Sequence, residues 1–215
     1  MSTDLMNERL KEEAFEATLR LYLYRLTDDP RDFVSVADRE RNVMAFRVSG
    51  KPISALTPDD FAVVSLEAES ADADAAFHLS LYRRIPGICS IAVVRSRYAA
   101  ALAKTGRAVR SCSAAEGYFD GDVPCLDPAD ESDPAARMAE TLTGAHVKAM
   151  LLPEGCAVLP ADDPMEAVDA AVTLEMLAER TYFADRMNEK YRSESAPPEP
   201  LHKRLMRAAE QSKKS

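Results

Sequence analysis

Arg95-Ser96-Arg97 closes an apolar run that begins at Cys89 and brings two guanidinium groups close together in the chain. Planar, permanently charged donors of this kind bind carboxylates or phosphates through charge-assisted hydrogen bonds. A carboxylate brought beside such an anion could move a proton. Metal chemistry has less to work with. The only histidines are His78, His146 and His202, and they fall in separate segments at no ligand spacing. Cys89, Cys112, Cys125 and Cys156 form no Cys-x-x-Cys pair and read as reduced, mostly buried thiols. Cys125 and Cys156 would need a nearby base to act as nucleophiles, and no histidine is placed by the sequence to serve either. The acidic stretch 120–133 lacks the Gly and Glu spacing of a calcium loop and reads as exposed loop.

The elements that must position these groups follow from periodicity. Apolar residues recur at helical spacing from Asn7 to Leu26, up to the turn-forming Asp28-Asp29-Pro30. Phe33 to Val36 and Val43 to Val48 read as a β-hairpin, and Phe61 to Leu66 as a further strand. Asp72 to Ile85 is helical and stops at Pro86-Gly87. A strand from Cys89 to Val94 and a helix from Ser96 to Lys104 flank the arginines. Residues 105–133 read as loop, followed by a short helix with Ser132 as cap and Pro134 in its first turn. Short strands are expected at Lys148–Leu152 and Cys156–Leu159, then a long helix from Pro164 to about Arg192. Ala196-Pro197-Pro198-Glu199-Pro200 prevents its continuation. Together these predict a three-layer α/β/α fold with a mostly antiparallel central sheet. A single domain should occupy residues 1–195, with a basic helical tail at 196–215.

A chain of 215 residues with 47% hydrophobic residues is large enough for one substantial core. Its formal charge of −9 argues against general nucleic-acid affinity, so any anionic ligand must meet a local basic cluster. There is no apolar stretch long enough to span a bilayer and no leader at Met1-Ser2-Thr3-Asp4, so no membrane association and a cytoplasmic location are expected.

Ser96-Arg97-Tyr98-Ala99, the turn Ser49-Gly50-Lys51-Pro52 followed by Leu56-Thr57-Pro58-Asp59-Asp60, and Tyr118-Phe119-Asp120-Gly121-Asp122-Val123-Pro124-Cys125 occur in an order that resembles the class II aldolase/adducin family. The likeness is greatest to its ribulose-phosphate 4-epimerase and fuculose-phosphate aldolase branch, and it extends from about residue 8 to 207. It implies a class II aldolase-like fold, homotetrameric assembly and zinc-dependent chemistry on sugar phosphates. The same alignment places Val93, Arg95 and Glu154 where the family has its zinc histidines, or Arg95 and Arg97 on the strand if it is shifted by two residues; neither register supplies a histidine, so no metal and no other cofactor is expected. The site would be vestigial, with Arg95 and Glu154 paired where zinc joined the two segments.

Asp74 falls at the family's acid/base carboxylate, although an aspartate at a helix start also serves as a cap. Of the family's neutral phosphate donors, Ser49-Gly50 is kept, with Lys51 beside it. Asp32-Phe33 and Asp72-Ala73 replace the other two and are unfavourable to phosphate. Gly117 and the Ser-Lys-Lys-Ser end lack two further proton carriers of the epimerase branch. Two functions follow. One is a diverged protein, non-catalytic in the parent reaction, with a binding or regulatory role. The other is an enzyme with altered, metal-independent chemistry on a small sugar or acid, in which Arg95 and Arg97 hold the anion and Asp74 or Glu154 moves a proton.

Overall fold

In the computed structural model, residues 2–27, 29–48, 50–111, 119, 121–126, 133–144 and 148–194 are described. Helix α1 (Thr3–Leu23) starts at Ser2, whose hydroxyl accepts the Leu5 amide at 3.4 Å. It stops short of the expected Asp28-Asp29-Pro30 turn. The Leu26 amide bonds the Leu21 carbonyl and the Arg25 amide bonds the Tyr22 carbonyl, both at 2.9 Å, which closes a Schellman turn with Arg25 at φ 59°.

Strands β1 (Phe33–Asp38) and β2 (Val43–Arg47) form the expected hairpin, and β3 (Phe61–Ser65) extends it. Helix α2 (Ala73–Arg84) leads into strand β4 (Ser90–Val94) and helix α3 (Arg97–Lys104). Helix α4 (Pro134–Gly144), strands β5 (Met150–Leu152) and β6 (Cys156–Ala161) and helix α5 (Pro164–Glu194) complete the order. Asp133 caps α4 by accepting the Ala136 amide at 2.9 Å. Ser132, the residue expected there, lies outside the described residues, as does the tail at 196–215.

The sheet order is β3-β2-β1-β4-β6-β5, and every pairing is antiparallel. Alternation along the strands divides the core into two layers. Val34, Val36, Ala92, Val94, Ala157 and Leu159 pack with α1, α3 and α5. Phe33, Ile91, Val93, Met150 and Val158 pack with α2 and α4 on the other face. The result is a three-layer α/β/α fold in which β4 is central and buried along its whole length. The chain separates into two units, Met1–Thr181 and Tyr182–Ser215, with the division inside α5. Everything described below lies in the first.

Candidate functional site

Register brings the site together. Phe33 pairs with Val93 across β1 and β4, so the residue before β1 meets the residues that follow β4. That places Asp32 against Arg95, whose backbone amide donates to Asp32 Oδ2 at 2.8 Å and whose guanidinium donates to Asp32 Oδ1. The Thr27 hydroxyl also donates to Oδ2. Asp32 is fully buried. Burial pushes its carboxyl above the usual range, against the hydrogen bonds from Thr27 and Arg95.

Asp29 is a second, looser partner, with Oδ2 3.8 Å from Arg95 Nε. Its main partner is Arg31 at 2.8 Å, and that hydrogen bond holds the Asp29 carboxyl down at about 2. The expected Arg95–Glu154 pair does not form. Glu154 is exposed in the turn before Gly155, and among the described residues the ionic partners of Arg95 are Asp32 and Asp29. Asp32 reaches Arg95 through adjacent strands, so the carboxylate expected to repel an anion instead holds the arginine.

The other proposed anion donors are divided. Lys51 Nζ contacts Asp60 Oδ1 at 2.6 Å, which draws the Asp60 carboxyl down to about 2. Gly50 stands in open space, and Ser49 lies outside the described residues. Buried Arg47 joins this turn to the Asp32 turn, donating to the Asp32 carbonyl at 3.4 Å and to the Lys51 carbonyl. Arg97 is exposed and shares a cleft of about 500 Å³ with Arg95, Arg25 and Thr27. Asp74 and Glu154 are not among its described lining, so the four side chains considered together in the sequence do not converge there.

Asp72, not Asp74, caps α2, accepting the Ala75 amide at 2.8 Å. Asp74 is thereby left exposed in the first turn. Partial burial and the neighbouring Asp72 raise its carboxyl, and the field of Arg95 opposes them. His78 is fully enclosed. Its Nδ1 meets Ser35 Oγ at 2.7 Å and its ring stacks on Phe33 at 4.5 Å, while burial lowers its pKa to about 3. A permanently neutral imidazole bound in this way is a packed core group. Burial likewise pushes the Cys156 thiol up to about 12 and raises that of Cys125, which suits neither to nucleophilic attack.

The residues expected at the family's zinc positions do not suit zinc. Val93 has no donor atom and packs against the apolar α2/α4 layer, Arg95 is itself a cation, and Glu154 alone is a carboxylate. Among the described residues, no group of three or more His, Cys, Asp or Glu side chains is placed to hold a metal ion.

Sequence reasoning missed Thr27, Asp29, Arg31, Arg47, Arg25 and Glu175. Glu175 reaches from α5 to accept the Tyr98 and Ala99 amides at 2.9 and 3.0 Å, at the start of α3. It takes over the work of Ser96, whose hydroxyl is buried with no hydrogen-bond partner among the described residues. The available signal was double substitution: Asp32 and Arg95 both depart from the family pattern, with opposite charge.

Residues 12–182 match the model of the Class II Aldolase and Adducin N-terminal domain. Among solved structures, the chain is similar to an L-fuculose-1-phosphate aldolase from Thermus thermophilus, at 24% identity and TM-score 0.70, covering 84% of this chain and 97% of that one. Another L-fuculose 1-phosphate aldolase matches at 21% identity and TM-score 0.70, covering 87% and 89%. An aldolase II superfamily protein from Pseudomonas syringae matches at 17% identity and TM-score 0.60, covering 99% and 86%.

Proposed function

The chain belongs to the class II aldolase and adducin family, and from that premise we propose that it does not carry out the family's zinc-dependent reaction and serves instead in binding or regulation. The observation behind this reading is the Asp32–Arg95 pair. A built-in guanidinium, held by a buried carboxylate, stands at a metal-ligand position of the family alignment. It would repel a divalent cation, and among the described residues no group of three or more His, Cys, Asp or Glu side chains is placed to compensate. Without a metal to polarise a carbonyl and stabilise an enediolate, the parent chemistry loses its main electrostatic support.

The test is cleavage of L-fuculose 1-phosphate by the purified chain with added zinc, alongside elemental analysis. Expected are no turnover above buffer and no stoichiometric zinc. Zinc-stimulated turnover abolished by a chelator would overturn the proposal.

A second reading, metal-independent chemistry, draws on the raised carboxyl of Asp74 and its electrostatic coupling to Arg95. Turnover that survives the chelator and disappears in Asp74→Asn would favour it. The proposal also includes homotetrameric assembly in the cytoplasm. Light scattering giving four chain masses would support that assembly, and a monomer would count against it.

A further inference from the structure

The geometry points to the cleft beneath the C-terminus of α1 as a binding site for a phosphate monoester with an apolar or aromatic body. Arg25, Arg95 and Arg97 are all among its lining residues. Arg95 is largely neutralised by Asp32. The guanidiniums of Arg25 and Arg97 make no ion pair among the described residues. In a chain of formal charge −9, two cations that make no ion pair among the described residues and line one concavity are a local reversal of sign.

Arg25 carries a second sign of selection for charge. It occupies the left-handed position of the Schellman turn, at φ 59°, where glycine is the unstrained residue. Asn42, the other non-glycine residue with positive φ among those described, is of a type that tolerates this conformation. Arginine is not among the types enriched there, and no ion pair within the described structure offsets the strain. An external anion would.

Two guanidiniums without an ion pair among the described residues match a dianion better than a monoanion, and a phosphate monoester is close to doubly charged near neutral pH. Tyr22, Leu23 and Leu26 form the apolar part of the wall. Tyr22 is 37% exposed, so its ring is open to packing against a ligand body. The family's phosphate-cradle positions Asp32, Gly50 and Asp72 are not among the described lining of this cleft. The inference therefore stands whether or not the parent reaction is lost.

Calorimetric titration of the full chain with phenyl phosphate, benzoate and inorganic phosphate tests it. Phenyl phosphate should bind most tightly, with Arg25→Gly and Arg97→Gln each weakening it about tenfold. Arg84→Gln, which removes a surface partner of Asp133, should leave binding unchanged. Arg25→Gly should also melt at a higher temperature than the wild type, which separates lost binding from lost folding. Undiminished binding by both arginine variants, benzoate or inorganic phosphate binding as tightly as phenyl phosphate, or no phenyl phosphate binding at millimolar concentration would each overturn the inference.

Discussion

Asp32 accepts both the backbone amide and the guanidinium of Arg95, 63 residues further along the chain, and does so fully buried. Removing either partner leaves the other's charge poorly compensated, whereas removing both removes the problem. Breaking such a pair typically costs about 3–5 kcal/mol. Arg95 keeps some solvent access, with 16% of its side chain exposed, and Asp29 stands near it. About 2–3 kcal/mol is therefore expected for Asp32→Ala. Arg95→Met should cost less, because Asp32, its carboxyl already raised by burial, can take up a proton. The double variant should lie closer to wild type than the sum of the single losses, with a coupling of about 1–3 kcal/mol in urea unfolding. Additive losses would mean that the pair is not a unit.

The layers of the fold were legible because Val34, Val36, Ala92 and Val94 alternate with Phe33, Ile91 and Val93 between two apolar faces. The end of α1 was misread because the Schellman turn at Arg25 lacks the glycine that usually marks it. At the site, residue types were legible and partners were not. Arg95 was visibly a replacement, but which carboxylate would meet it depended on the β1–β4 register. Local spacing does not encode that register. It favours Asp32 over Glu154 by joining adjacent strands directly, while Glu154 points from an exposed turn. Arg47 and Glu175 were missed for the same reason, since each acts on a segment distant in sequence or around a turn.

His78 should make stability depend on pH. Its folded pKa, lowered to about 3 by burial, lies below the ordinary value of 6.5. Between these values the unfolded chain binds the extra proton and the folded one does not, so stability falls as pH drops below about 6.5. The slope approaches about 1.4 kcal/mol per pH unit. Asp29 and Asp60, both held at about 2, begin to contribute losses only near the unfolded carboxylate range, whereas the raised carboxyls of Asp32 and Asp74 act with the opposite sign, so the histidine is isolated by comparison with a variant that lacks it. Urea unfolding at pH 7.5 and 5.5 should therefore differ by about 1 kcal/mol more in the wild type than in His78→Phe. In that variant Ser35 and Tyr82, whose oxygens are 2.9 Å apart, can still bond each other. Equal pH dependence in the two proteins would show that His78 is not buried neutral.

Glu175 should contribute more to the stability of α3 than that helix's own first residues do. A helix of eight residues has little intrinsic stability, and its first amides need acceptors. The usual supplier, Ser96 at the N-cap, makes no capping bond. Both carboxylate oxygens of Glu175 instead take the Tyr98 and Ala99 amides, placing negative charge at the positive end of the helix dipole. Glu175→Ala leaves two amides without acceptors and should cost about 2 kcal/mol in urea unfolding. Glu175→Gln keeps one oxygen acceptor and loses the charge, so its cost should fall between Ala and wild type. A loss below about 0.5 kcal/mol for the alanine variant would mean that water or another side chain replaces the carboxylate without penalty. The helix begins at Arg97, one of the two cations in the cleft that make no ion pair among the described residues, so the same substitution should also blur the placement of that guanidinium. Weaker phenyl phosphate binding by Glu175→Ala than by Glu175→Gln would connect the cap to the cleft, and equal binding by the two would separate them.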